Sequence, residues 1–345
     1  MRLGVMVCCS MLAVCVTASA QSVREVPPLQ FSEPYLRAVA QFDAIAAQDA
    51  TKALEWLDRL MPSITSPYER FSLYQSFVVP AHVRAKAFGK VLEVLLRGHR
   101  EGLFFPLTPR DATWLDEFTK VPGASEVLAE NERLREQAQR SAVPEYIVRT
   151  PAGFDRARKH PLLMVLHGGW GSHYQLSRSW TSRMLNEEFI VAFVQGEVCR
   201  ASYLRSYTPG DMESIVAVYR DVVQKYPVDL SRVFVGGPSA AGGRSLNLAL
   251  DARVAPAGLF LMFPALTAAP GDAVIAELAS RKVRLVLLTG EQDPGVVAQK
   301  SFAVKCDQAK IPNRFLIFSE KGHEYPDGFP HQIDLSLSFL LGRSK

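Results

Sequence analysis

The spacing of apolar residues changes character along this chain. From Tyr35 to about residue 142 they recur at helical intervals: Ala53, Leu54, Leu57, Leu60 and Met61 form one stripe, and Phe88, Val91, Leu92 and Leu95 another. Prolines at 62, 67, 80, 106, 109 and 122 are expected to break this stretch into several helices. After Pro144 the texture becomes short runs that are apolar throughout. Glu145 to Thr150 reads as a strand, and such runs occupy Leu162 to Leu166, Phe189 to Val194, Val233 to Val235, Leu259 to Phe263, Val283 to Leu288 and Phe315 to Phe318. Helical segments separate them, the clearest being Met212 to Tyr226, with Ile215, Val218, Tyr219 and Val222 on one face. Strands with no polar face, alternating with helices, predict a mostly parallel sheet covered on both sides. The expected fold is therefore a three-layer α/β/α domain over 143–345, preceded by an all-helical region over 21–142. Within the latter, residues 21–34, with Pro27, Pro28 and Pro34, read as an extended lead-in.

Ahead of these lies a different pattern, in which Arg2 is followed by an apolar core from Leu3 to Val16 and by Ala18-Ser19-Ala20. This arrangement predicts a secretory signal peptide over 1–20, cleaved before Gln21. Crossing a bilayer takes roughly 20 apolar residues, so this core is too short for a stable membrane span. A lipoprotein cleavage before Cys15 would place the bulky Val14 where small residues belong. Secretion, or residence in a periplasm, is the expectation. Three of the five cysteines, Cys8, Cys9 and Cys15, would leave with the signal. Cys199 and Cys306 remain, as one candidate disulfide or as two free thiols.

Charge narrows the partners. With 39 basic against 35 acidic residues, the formal net charge of +4 is small and dispersed, which argues against a surface that tracks phosphates. Nucleic acid is not an expected partner. The hydrophobic content of 48% is ample for one large core and a smaller one.

In open parallel sheets, ligands bind beyond the carboxyl ends of strands. Four such ends carry chemistry. Gly236-Gly237-Pro238-Ser239-Ala240-Ala241-Gly242-Gly243 follows the Val233 run, and a serine so crowded by small residues suits a sharp strand-to-helix turn that projects its hydroxyl. His167-Gly168-Gly169-Trp170-Gly171 follows Leu166, Thr289-Gly290-Glu291-Gln292-Asp293 follows Leu288, and Lys321-Gly322-His323 comes soon after Phe318. A hydroxyl becomes nucleophilic when an imidazole takes its proton, and a carboxylate behind the imidazole fixes its tautomer. Ser239, His323 and Asp293 are the candidates for these roles. The backbone N–H of Ala240 and those of Gly169 and Trp170 are candidate oxyanion donors. Ser245 is a weaker nucleophile, His331 a weaker base, and Glu291 and Asp327 weaker acids. His167 reads as structural. Arg200, Arg205 and Tyr207, after the Phe189 run, are candidates for binding a substrate carboxylate.

On Leu166-His167-Gly168-Gly169, the approach Tyr226-Pro227-Val228-Asp229-Leu230-Ser231-Arg232-Val233, the serine segment, Gly290 with Asp293, and Gly322-His323, the chain from about Tyr146 onward resembles the α/β-hydrolase superfamily. Within it, the resemblance is to secreted serine esterases of the polyhydroxyalkanoate depolymerase and feruloyl esterase type. It implies hydrolysis of a small-molecule or polymeric ester through an acyl-enzyme, without metal or organic cofactor. It does not reach residues 21–142, which are candidates for a protein-partner surface or a cap over the site. One departure stands out. Ala241 occupies the second small position of the motif, where glycine is usual, so its methyl must find room, and Gly242 and Gly243 are expected to yield it. Two other readings remain at this stage: a peptidase on the same scaffold, and a binding protein that kept the fold without its chemistry.

Overall fold

The computed structural model describes residues 22–108, 112–207 and 212–343, so the expected signal peptide and Pro109 lie outside the described residues. Eight strands form one sheet in the order β1-β2-β4-β3-β7-β8-β9-β10. They are β1 (Arg24–Glu25), β2 (Glu145–Arg149), β3 (His160–Leu166), β4 (Ile190–Gln195), β7 (Val228–Pro238), β8 (Gly258–Met262), β9 (Arg284–Gly290) and β10 (Asn313–Phe318). From β4 to β10 every neighbouring pair is parallel, whereas β2 runs antiparallel to β4. A separate hairpin, β5 (Val198–Ala201) with β6 (Leu204–Ser206), stands off the sheet.

Both faces of the central strands β3, β4, β7, β8 and β9 are covered, as apolar strands require, while the edge strand β10 is only part-buried. Leu162, Met164 and Leu166 of β3 point into one core with the helices Met212–Lys225, Ala241–Leu250, Asp272–Ser280 and Val296–Gln308. Leu163 and Val165 point the other way, toward His173–Ser179, Arg183–Glu187 and Phe329–Leu340. Helices on both sides of the mostly parallel sheet make a three-layer α/β/α sandwich. A third core belongs to the N-terminal helices, where Ala53 and Leu57 lie buried on Ala50–Leu60 and Val91 and Leu95 on Phe88–Arg100. Ala201 of the hairpin joins that core, with Tyr203 and Leu204 packed against it. Among the described residues, no helix is long and apolar enough to cross a membrane.

Two local features differ from the sequence expectation. The lead-in carries β1, which pairs in parallel with β2 and ties the start of the described chain to the sheet edge. Pro80 breaks no helix: the chain continues from Pro67–Leu73 through a π-helical stretch, Tyr74–Val78, into Val79–Arg84. The widened turns absorb the missing N–H of Pro80 and give its ring room against the preceding turn.

Cys199, in β5, and Cys306, in the helix Val296–Gln308, are both buried free thiols. Cys306 packs in the sheet core, while Cys199 Sγ contacts Arg205 Nη1 at 2.7 Å, so each thiol is committed elsewhere.

The helical region is clamped by Asn131, a buried polar side chain on Ala124–Arg140. Its amide accepts from Phe105 N–H at 2.8 Å and donates to Phe105 C=O at 2.9 Å, closing the extended segment onto the helix. Asn131→Ala strands both backbone groups in a dry interior. Its expected cost is about 3 kcal/mol in urea unfolding; a loss below about 1 kcal/mol would show that the clamp carries little stability.

Candidate active site

The strand-to-helix turn after β7 is built on backbone contacts. Ser239 adopts φ +59°, a left-handed conformation that is strained for a side-chain-bearing residue, at a typical cost of ~1–3 kcal/mol. It is held there from both sides. Its N–H donates to Met262 O at 2.9 Å, and its carbonyl accepts from Gly242 N–H at 2.9 Å and from Ala265 N–H at 3.0 Å. Gly237, at φ +146°, leaves space no other residue would, since a Cβ there would stand 2.0 Å from Leu166 O of β3.

The same space accommodates the Ala241 methyl. That methyl is buried against Gly237, whose added Cβ would come within 2.9 Å of it. Gly242 and Gly243 do not supply the room. Gly242 abuts Pro264, and Gly243 faces open space. The slack comes from the strand side.

Asp293 and His323 form a second unit. His323 Nδ1 lies 2.6 Å from Asp293 Oδ2, with the carboxylate only 3% exposed and the imidazole side chain 40% exposed. The other carboxylate oxygen accepts from Gly295 N–H at 2.7 Å and from Gln299 Nε2 at 3.1 Å. The acid is thus locked, and its one free direction is the imidazole. Gly290 explains why the two loops meet: a Cβ there would lie 2.1 Å from Lys321 O and 2.3 Å from Gly322 O. Gln292 N–H donates to Lys321 O at 2.8 Å, stitching the Asp293 loop to the His323 loop. Phe263 packs its ring on His323, with centroids 4.6 Å apart, and Tyr325 packs on Phe263. Sequence reasoning missed both aromatics, although Phe263 ends a strand run and takes φ +34°.

Ser239 and His323 line two adjoining cavities. One, about 880 Å³, is walled by residues such as Leu266, Ala268 and Val297. The other, about 440 Å³, is walled by Gly168, Gly169, Trp170, Phe263 and Tyr325. The hydroxyl of Ser239 makes no hydrogen bond among the described residues.

Gly169 and Trp170 are therefore beside the serine, and Ala240 follows it at the start of the helix Ala241–Leu250. Among the described residues, none of these three N–H groups donates to a backbone carbonyl. Gly168 is a further neighbour, with a Cβ built on it falling 3.4 Å from Ser239 Cβ. The loop is held by His167, which is buried. Its Nε2 accepts from Gly196 N–H at 3.1 Å, its Nδ1 lies 3.1 Å from Gly168 O, and its ring stacks on Tyr207. Burial pushes its pKa down to about 3. It is a neutral brace, as its sequence position suggested.

The remaining candidates fall elsewhere. Ser245 is buried within its helix, His331 and Glu291 are exposed, and Asp327 pairs with Lys321. Arg200 donates to Ser206 and Arg205 contacts Cys199, both within the hairpin, while Tyr207 donates to Val194 O. None of the three lines the cavities beside Ser239. Among the described residues, no group of three or more His, Cys, Asp or Glu side chains is placed to hold a metal ion.

No protein-family model matches the chain, and no curated protein matches it in sequence. Among solved structures, it is similar to an uncharacterized protein from Bacillus cereus, at 15% identity and a TM-score of 0.49, over 90% of this chain and 99% of that one. It is also similar to an S-formylglutathione hydrolase from Staphylococcus aureus, at 16% identity and a TM-score of 0.41, over 55% and 84% of the two chains. A thermophilic esterase from Thermogutta terrifontis matches at 16% identity and a TM-score of 0.45, over 58% and 88%.

Acid stability follows from the buried imidazoles. His173, also buried, is likewise pushed down to about 3, chiefly by burial. The unfolded chain binds protons on both rings near pH 6.5 while the folded one does not, so stability is full above pH 6.5 and falls toward pH 3. Each ring should cost about 2 kcal/mol at pH 5. Urea unfolding at pH 7.5 and pH 5 checks this, and His173→Leu should flatten the difference; an unaltered slope in that variant would exclude it as a contributor.

Proposed function

We propose that this protein is a serine hydrolase that cleaves carboxylic esters through an acyl-enzyme on Ser239, acting outside the cytoplasm after removal of residues 1–20. The observation that carries this reading is the convergence of a left-handed Ser239 and a locked Asp293–His323 pair on shared cavities. With Nδ1–H directed at Asp293, His323 presents Nε2 to the serine hydroxyl. As Oγ attacks the ester carbonyl, its proton passes to Nε2 and the carbonyl π electrons move onto oxygen. Backbone N–H groups of Ala240 and the Gly169–Trp170 loop receive the oxyanion, each worth about 3 kcal/mol in such sites. Collapse of the tetrahedral species breaks the carbon–oxygen bond, and the imidazolium returns its proton to the departing alcohol. Water, deprotonated by the same nitrogen, attacks the acyl carbon, and collapse breaks its bond to Oγ as the imidazolium returns the proton to Oγ, releasing the acid and restoring Ser239. Asp293 stays ionised throughout, stabilising the imidazolium.

Three measurements test this. A fluorophosphonate should label the mature protein stoichiometrically and leave Ser239→Ala unlabelled. Turnover of a short 4-nitrophenyl ester should fall at least about 10³-fold in Ser239→Ala and about 10³- to 10⁴-fold in Asp293→Asn, where an amide cannot hold the tautomer. Undiminished turnover in Ser239→Ala would remove the nucleophile assignment. Wild-type protein that neither labels nor turns over any ester would favour the non-catalytic reading.

A further inference from the structure

A third cavity, of about 310 Å³, lies between the helical region and the sheet domain. It shares Trp170, Gly171 and Gln175 with the cavity beside Ser239, so the candidate oxyanion loop forms the partition between the two. Trp170 is 46% exposed at this junction, a large aromatic face left open where the two spaces meet. The far wall comes from residues outside the hydrolase fold: Tyr35 on the helix Glu33–Gln48, and Tyr68 and Ser72 on Pro67–Leu73.

The cavity holds a cation with no counter-charge. Arg178, half-buried on His173–Ser179, lies over the Tyr35 ring at 5.7 Å from its centroid and reaches Tyr35 Oη from Nη1 at 3.4 Å. Among the described residues it has no carboxylate partner, whereas Arg37 is paired with Glu33 and Arg70 with Glu101. The acid nearest in sequence to this wall is turned away: both Glu69 oxygens accept from Ser32, at 2.6 Å and 2.7 Å. Burial pushes the Tyr68 phenol up, so it stays a neutral hydroxyl. Tyr35 Oη and Ser72 Oγ lie 3.1 Å apart. The result is a guanidinium fork among neutral hydroxyls, with Phe71 and Leu204 as apolar lining. A fork of five N–H donors matches a carboxylate in charge and in shape.

We infer that this cavity is a substrate subsite for a carboxylate, and that the protein cleaves esters whose remote end carries a free carboxyl group. The inference rests on the Ser239 reading. The ester occupies the cavity beside Ser239, an apolar spacer passes Trp170, and the terminal carboxylate pairs with Arg178. The helical region then sets specificity, because it supplies the wall that holds Tyr35 against the guanidinium.

The test uses the full mature chain and a series of mono-4-nitrophenyl esters of linear dicarboxylic acids, from succinate to sebacate, each against the neutral monocarboxylic ester of equal length. At the length that spans the two cavities, kcat/KM should favour the carboxylate ester by about tenfold or more, through KM. Arg178→Gln should bring that ratio near one, and Arg178→Lys should keep part of it. Hydrolysis without such a preference at any length, or a preference that survives Arg178→Gln, would overturn the subsite while leaving the nucleophile intact. If no ester is turned over, calorimetric binding of the free dicarboxylates to Ser239→Ala protein decides instead. Binding that disappears in the added Arg178→Gln variant supports the subsite without the chemistry, and no binding in the range from succinate to sebacate overturns it.

Discussion

The site depends on one constraint, which is that backbone must touch backbone where the central strands end. At Gly237 the chain passes so close to Leu166 O that any side chain would collide, and this closeness lets the next residues turn back at Ser239. Met262 and Ala265 then hold the turn from the β8 side. The same device recurs at Gly290, where the base loop crosses directly over the acid strand. Ser239 and the Asp293–His323 pair therefore ride on two backbone crossings, each without a side chain at its centre. Rigid crossings of this kind set side-chain positions more finely than surface loops do.

Much of this was legible in the sequence because the determinants are local. Short, wholly apolar runs marked the parallel strands, and the candidate site residues stood just beyond them. Ser239, Asp293 and His323 each lie in the segment that follows a strand. What escaped was non-local. β1 is only two residues long, with no periodicity of its own, and exists because β2 offers it an edge. The fit of Ala241 depends on Gly237, four residues upstream and on the other side of the turn, so inspection of the downstream glycines pointed the wrong way. Arg200 and Arg205 are indistinguishable from Arg178 in a linear reading. Only the hairpin geometry turns the first two aside.

Histidines illustrate the same point. His167, His173 and His323 are alike as letters, yet the first two are buried and held neutral while the third is part-exposed against a locked carboxylate. Burial and partner, rather than residue type, separate the part-exposed His323 with its carboxylate from the buried brace His167. The aromatic backing of His323 by Phe263 and Tyr325 extends this logic, with Trp180 Nε1 donating to Tyr325 Oη at 3.1 Å to anchor the stack.

The pairing of β1 with β2 also shapes how the molecule is assembled. Arg24 and Glu145 form an ion pair across 121 positions of sequence, so the helical region is a closed loop whose two ends are neighbouring strands. Bringing such distant ends together carries a chain-entropy cost that helices folding first would reduce, by shortening the path between them. In sequence, the helices of this region all precede β2 and every later strand. Helices formed early would deliver one edge of the sheet, and the remaining strands would condense onto an edge already prepared.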